Sequence, residues 1–171
     1  MTNFNRISAT SGKREEANAA TVSTGVPTAG QIIATNAAGQ LDSSFLPPGI
    51  GDDAKMINAT EDLSAGDFVN VFDDGGTPGV RLADRTNGRQ ADGFVLEAVT
   101  TGSLAEVLFE GTNNALTGLT IGSRQFLGTA GSPEETFTTT GGEILQCLGV
   151  ACSATELNFE AQEPITRAAT V

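Results

Sequence analysis

The side chains best suited to chemistry in this chain are carboxylates, two cysteines and a group of arginines. Asp52-Asp53 follows Gly51, and Asp73-Asp74 precedes Gly75-Gly76. A calcium loop needs alternating oxygen ligands and a Glu at its twelfth position. Counted from Asp73, the third and fifth positions are Gly75 and Thr77 and the twelfth is Asp84. The pattern fails, and both stretches read as turns. Glu134-Glu135 is a carboxylate pair of the kind a glycosidase uses. Neighbouring carboxylates in a polar loop read more simply as solvated, and the chain has no Trp or Tyr to stack on a sugar. Gly75-Gly76-Thr77-Pro78-Gly79 lacks the Lys-Ser/Thr and the helix of a phosphate-binding loop.

Histidine is absent. Imidazole acid–base catalysis, His-based triads and His-ligated zinc are therefore excluded within this sequence. Cys147 and Cys152 have no imidazole to form a thiolate pair. Their odd spacing in extended chain points them to opposite faces, so they are not expected to pair with each other. They read as two buried, reduced, small hydrophobes. Lys13 and Lys55 are the only lysines, so no Ser or Thr has a credible base. These absences predict a non-enzyme that holds no cofactor and no metal. Arg81, Arg85 and Arg89 cluster on one strand and loop. They either bind an acidic patch on a partner or neutralise the chain's own carboxylates. Glu97, Glu106 and Glu110 alternate with apolar residues and predict a solvated sheet face.

The 171 residues carry 21 acidic and 9 basic side chains, a formal net charge of −12. Nucleic-acid binding needs a basic footprint and is not expected. No apolar run is long enough for a transmembrane helix, and no apolar stretch follows a basic one near Met1, so neither membrane nor secretory leader is expected. The reading is a soluble product of a reducing compartment.

Charge divides the chain in two. Residues 1–50 hold three basic and three acidic groups; residues 51–171 hold six and eighteen. Residues 10–30 are mostly Ala, Ser, Thr, Gly and Asn, too poor in large apolar groups to offset their ordering entropy. A partner that holds this arm is the simplest expectation. Residues 31–35 read as a short strand, 36–39 as a turn, and Gln40-Leu41 as its return. Asp42-Ser43-Ser44 caps a helical turn carrying Phe45 and Leu46, and Pro47-Pro48 begins a linker. The domain boundary is placed at residue 50.

Beyond it, apolar stretches separated by Gly-rich turns recur about every 10 residues. Strands are predicted at 67–72, 80–83, 93–99, 104–110, 124–127, 136–139, 143–151 and 156–160. No helix-period stretch exceeds two turns. The expected fold is all-β: a small barrel or sandwich of short antiparallel strands, preceded by an extended N-terminal arm with a short hairpin.

Two stretches resemble known proteins. Gly30-Gln31-Ile32-Ile33-Ala34-Thr35, continuing through Gly39-Gln40-Leu41-Asp42-Ser43-Ser44-Phe45-Leu46-Pro47, resembles a hairpin segment of virion structural proteins of tailed bacteriophages. Ala91-Asp92-Gly93-Phe94-Val95-Leu96, Gly118-Leu119-Thr120-Ile121-Gly122 and Phe126-Leu127-Gly128 are similar to the β-domain of phage capsid cement (decoration) proteins and some tail-fibre modules. That second resemblance continues through Gly141 to Ala151 and Ser153 to Leu157. Arg124-Gln125-Phe126-Leu127 departs from the family's more aromatic strand but keeps Phe126 as its apolar position.

The resemblance implies a virion structural protein on the outer capsid surface, made in the host bacterial cytoplasm. It implies binding to major capsid protein subunits and bridging of capsomers. Ile32, Ile33, Leu41, Phe45 and Leu46 would be the arm's apolar anchors, with Pro47 and Pro48 fixing its exit angle. The arm's backbone would add strands to exposed edges of the partner. Self-association is also implied, a trimer favoured over a dimer. The alternatives are a tail-fibre, collar or baseplate attachment protein, and a carbohydrate-binding receptor module.

Overall fold

Alternating apolar residues build the second part of the chain. In the strand Phe68–Asp74, Val69 and its neighbour Phe68 point to opposite faces, and both are fully buried. One face therefore lines a barrel while the other packs outside it. The computed structural model describes residues 3–8, 10–22, 32–35, 37, 39–41, 45 and 53–168. The chain divides into two units, Met1–Gly51 and Asp52–Val171.

In the first unit, β1 (Asn3–Ile7) and β2 (Arg14–Asn18) form an antiparallel hairpin. Its loop closes through Ser8, whose amide donates to the Lys13 carbonyl at 2.8 Å and whose carbonyl accepts from Gly12 at 2.9 Å. The hairpin that the described residues of the arm form lies at residues 3–18; of the expected hairpin at 31–41, residues 31, 36 and 38 lie outside the described residues. Ile33 makes an isolated parallel bridge to Ala20, and Gln40 and Leu41 belong to no strand. The polar stretch 14–18 gains its order from a backbone ladder, which needs few apolar side chains.

The second unit opens with β3 (Ala54–Ala59), β4 (Phe68–Asp74), β5 (Thr77–Leu82), β6 (Gly93–Phe94) and β7 (Leu104–Leu108). They close into a barrel in the order β3-β5-β4-β6-β7. β3 shuts it by pairing in parallel with β5 and antiparallel with β7. β6 is short and meets β4 only at Phe68 and Val69 and β7 only at Leu108. The β4–β5 turn has Gly75 and Gly76 at positive φ, with the Gly76 amide donating to Asp73 Oδ1 at 2.7 Å. The Asp-Gly stretch is thus a hairpin turn.

β8 (Glu110–Asn113), β9 (Arg124–Leu127), β10 (Pro133–Glu134), β11 (Ile144–Leu145), β12 (Cys147–Ala151), β13 (Leu157–Glu160) and β14 (Ile165–Thr166) follow. Five form a sheet in the order β10-β9-β12-β13-β8, and β11 pairs with β14. The all-β expectation holds. The expected strand at 136–139 does not form; that segment is irregular and leaves Phe137 nearly half exposed. The expected strand at 93–99 is regular only over Gly93–Phe94.

Two cores result. Ile57, Val69, Val80, Val95, Ala105 and Val107 fill the barrel. Phe68, Phe94, Leu127, Leu148, Leu157 and Phe159 join the barrel wall to the five-stranded sheet. The three Phe rings form a closed triangle, with centroids 6.3 Å (Phe68–Phe94), 5.3 Å (Phe68–Phe159) and 5.6 Å (Phe94–Phe159) apart. Each buried Phe contributes roughly 1.5–3 kcal/mol by transfer from water. Gly149 marks a bulge between β12 and β9. It sits at φ +145, and a Cβ there would lie 2.0 Å from the Asn158 carbonyl oxygen.

Candidate functional site

Of the seven predicted anchors, four fall among the described residues. Ile33 is 52% exposed and Leu41 49% exposed, while Ile32 and Phe45 are half-buried. Phe45 sits in a 3-10 turn. Leu46, Pro47 and Pro48 lie outside the described residues, as do Asp42, Ser43 and Ser44. Ile33 is presented by its parallel bridge: the Ala20 amide donates to the Ile32 carbonyl and the Ala34 amide to the Ala20 carbonyl, each at 2.9 Å.

Two further apolar side chains were not singled out by sequence. Ile7 is 70% exposed at the end of β1, and Val22 is 56% exposed just beyond the bridge residue Ala20. The signal for both was available, since each is an isolated apolar residue in a polar stretch. Four exposed aliphatic side chains on so short a segment are unusual for a surface meant to stay wet.

The three clustered arginines Arg81, Arg85 and Arg89 separate cleanly. Arg85 Nη1 lies 2.5 Å from Glu134 Oε1, and its Nε lies 3.0 Å from Glu143 Oε2. The Thr138 hydroxyl also bonds Glu143. The Thr138 hydrogen bond, reinforced by Arg85, holds the Glu143 carboxyl below the usual carboxylate range. Arg89 Nη1 lies 2.8 Å from Glu61 Oε1. Both arginines therefore neutralise the chain's own carboxylates. Arg81 has no ion-pair partner among the described residues; it stacks on Phe72 instead, its guanidinium carbon 4.1 Å from the ring centroid.

A cleft of about 430 Å3 is lined by Asp67, Gln125, Ser132 and Glu135. Burial pushes the Asp67 carboxyl up, against the Ser64 amide bond that lowers it. Hydrogen bonding from Thr120 pulls Glu135 down. Asp67 Oδ2 already accepts from the Ser64 amide at 2.7 Å, and Glu135 Oε1 from the Thr120 amide at 3.1 Å. These carboxylates brace loops.

The cysteines correct the sequence reading. Cys147 is half-buried and Cys152 exposed, both as free thiols. The apolar run ends at Ala151, so the chain carries Cys152 into a surface turn. Glu97, Glu106 and Glu110 are exposed, as their alternation requires. No described helix is long and apolar enough to cross a membrane.

No family model matches the chain, and no curated protein matches it. A solved structure, the head fiber gp8.5 N base in bacteriophage phi29, is similar over 64% of this chain and 97% of its own. Identity is 14% and the TM-score 0.43, below the level at which two chains share a fold.

Proposed function

We propose that this is a virion structural protein that decorates and stabilises an assembled phage capsid, binding major capsid protein subunits through its first unit. One observation carries the reading: Ile7, Val22, Ile33 and Leu41 stand exposed among the described residues of the first unit, which hold a hairpin and a bridge. A surface that sheds water on docking is what such side chains provide. The family resemblance of residues 30–47 and 91–157 supports the same role. The second unit supplies a body with two packed cores and the excess negative charge. That charge keeps a densely covered particle soluble. Many weakly held copies would together resist internal pressure by avidity. Bridging of neighbouring capsomers and trimeric self-association belong to the same proposal.

The test is co-sedimentation of the full chain with capsids lacking it. Replacing Ile7, Val22, Ile33 and Leu41 with Ser should weaken binding about a hundredfold. Unchanged binding would sink arm docking.

A further inference from the structure

Arg81 is a cation that the fold holds in place yet leaves without a carboxylate among the described residues. Its plane is fixed twice. The Phe72 ring lies under the guanidinium, and Nε donates to Asn70 Oδ1 at 3.0 Å. Asn70 is itself buried, and its amide donates to Asp92 Oδ2 at 3.0 Å. Asp92 is anchored by the Val71 amide at 2.8 Å and by Gln90 Nε2 at 2.7 Å. Three donors thus spend the Asp92 carboxylate, and Asn70 stands between it and Arg81. The bond at Nε leaves the terminal Nη1/Nη2 edge as the donor pair, the fork that grips a carboxylate in two parallel bonds. These residues line a shallow groove of about 670 Å3, with Val71 and Phe109 as its apolar wall.

We infer that this groove is a docking socket for a single Asp or Glu side chain, presented by a partner protein whose surrounding surface is cationic. Charge complementarity selects that occupant. Residues 51–171 carry the whole excess of −12, so a polyanion is repelled at long range. A basic surface is drawn in, and one carboxylate within it meets an arginine held ready. The field sets the rate of encounter, and the fork sets the register. An arginine already stacked and bonded loses little freedom on binding. This socket lies in the second unit, and the inference does not rest on the capsid reading.

The test follows the Arg81 side-chain Nε–H resonance of the full chain by NMR. The probes are acetyl-Lys-Glu-Lys-amide, acetyl-Lys-Gln-Lys-amide and glucuronate. The Glu peptide should give a saturable shift, and the Gln peptide should bind about tenfold more weakly. Arg81→Lys keeps the charge and should lose that preference. Equal response to the two peptides would overturn the socket, leaving attraction by the field alone. A stronger response to glucuronate than to the Glu peptide would also overturn it, making the groove a sugar-acid site. The peptide comparison on the unaltered chain stands even if a variant folds poorly.

Discussion

Gln146 and Ala91 close a ring of two hydrogen bonds: the Gln146 amide donates to the Ala91 carbonyl at 2.9 Å, and the Ala91 amide donates to Gln146 Oε1 at 2.8 Å. The side chain imitates a strand partner for a residue with no ladder of its own. Its second amide proton reaches the Gln162 carbonyl at 3.0 Å. One buried side chain therefore ties the loop before β6 and the chain after β13 to the start of β12. Gln146→Leu keeps the volume and leaves Ala91 unpaired on both sides. The expected cost is about 2–4 kcal/mol, read by urea unfolding.

Gly149 makes a sharper prediction. Gly149→Ala adds a Cβ into the Asn158 carbonyl at a φ that L residues avoid. The β12–β13 pairing must give way, at a cost of more than about 3 kcal/mol. A variant of unchanged thermal midpoint would refute that geometry.

Much of this was legible in the sequence, for a physical reason. Asn70 between Val69 and Val71, and Glu106 between Ala105 and Val107, mark a period of two, which is readable before any tertiary contact is known. Ile57 and Ala59 of β3 follow an exposed start, Ala54-Lys55-Met56, that shows no period of two, so only the closing of the barrel gives that segment its order. The hairpin of residues 3–18 carries almost no apolar signal, because its ladder is made by backbone. The split among Arg81, Arg85 and Arg89 was invisible for another reason. Glu143, which claims Arg85, is 58 residues away in sequence.

Two carboxyls bend stability with pH in opposite directions. Glu143 has its folded pKa lowered, chiefly by the Thr138 hydrogen bond. Its contribution is full above the unfolded value and lost as pH falls through the folded one. Glu143→Gln should destabilise at neutral pH and converge with the unaltered chain in acid. Asp67 has its pKa raised by burial. Its contribution is full below the unfolded value and is lost as pH rises through the folded one. Asp67→Asn keeps an acceptor for the Ser64 amide and should raise the thermal midpoint at neutral pH. Melting curves from about pH 2 to pH 8 check both signs.

The thiols should differ in reactivity by access. Cys152 is exposed and Cys147 half-buried. An aromatic disulfide reagent should modify one thiol at least about tenfold faster than the other. Cys152→Ser should abolish the fast phase. Loss of the slow phase instead would reverse the assignment.

We propose above that this protein coats a capsid. The most direct measurement is its copy number per virion against the major capsid protein, by quantitative mass spectrometry of purified particles. A capsid coat requires a near-stoichiometric ratio. A few copies per particle would contradict it and move the protein to a tail, collar or fibre, with the same arm acting as a plug.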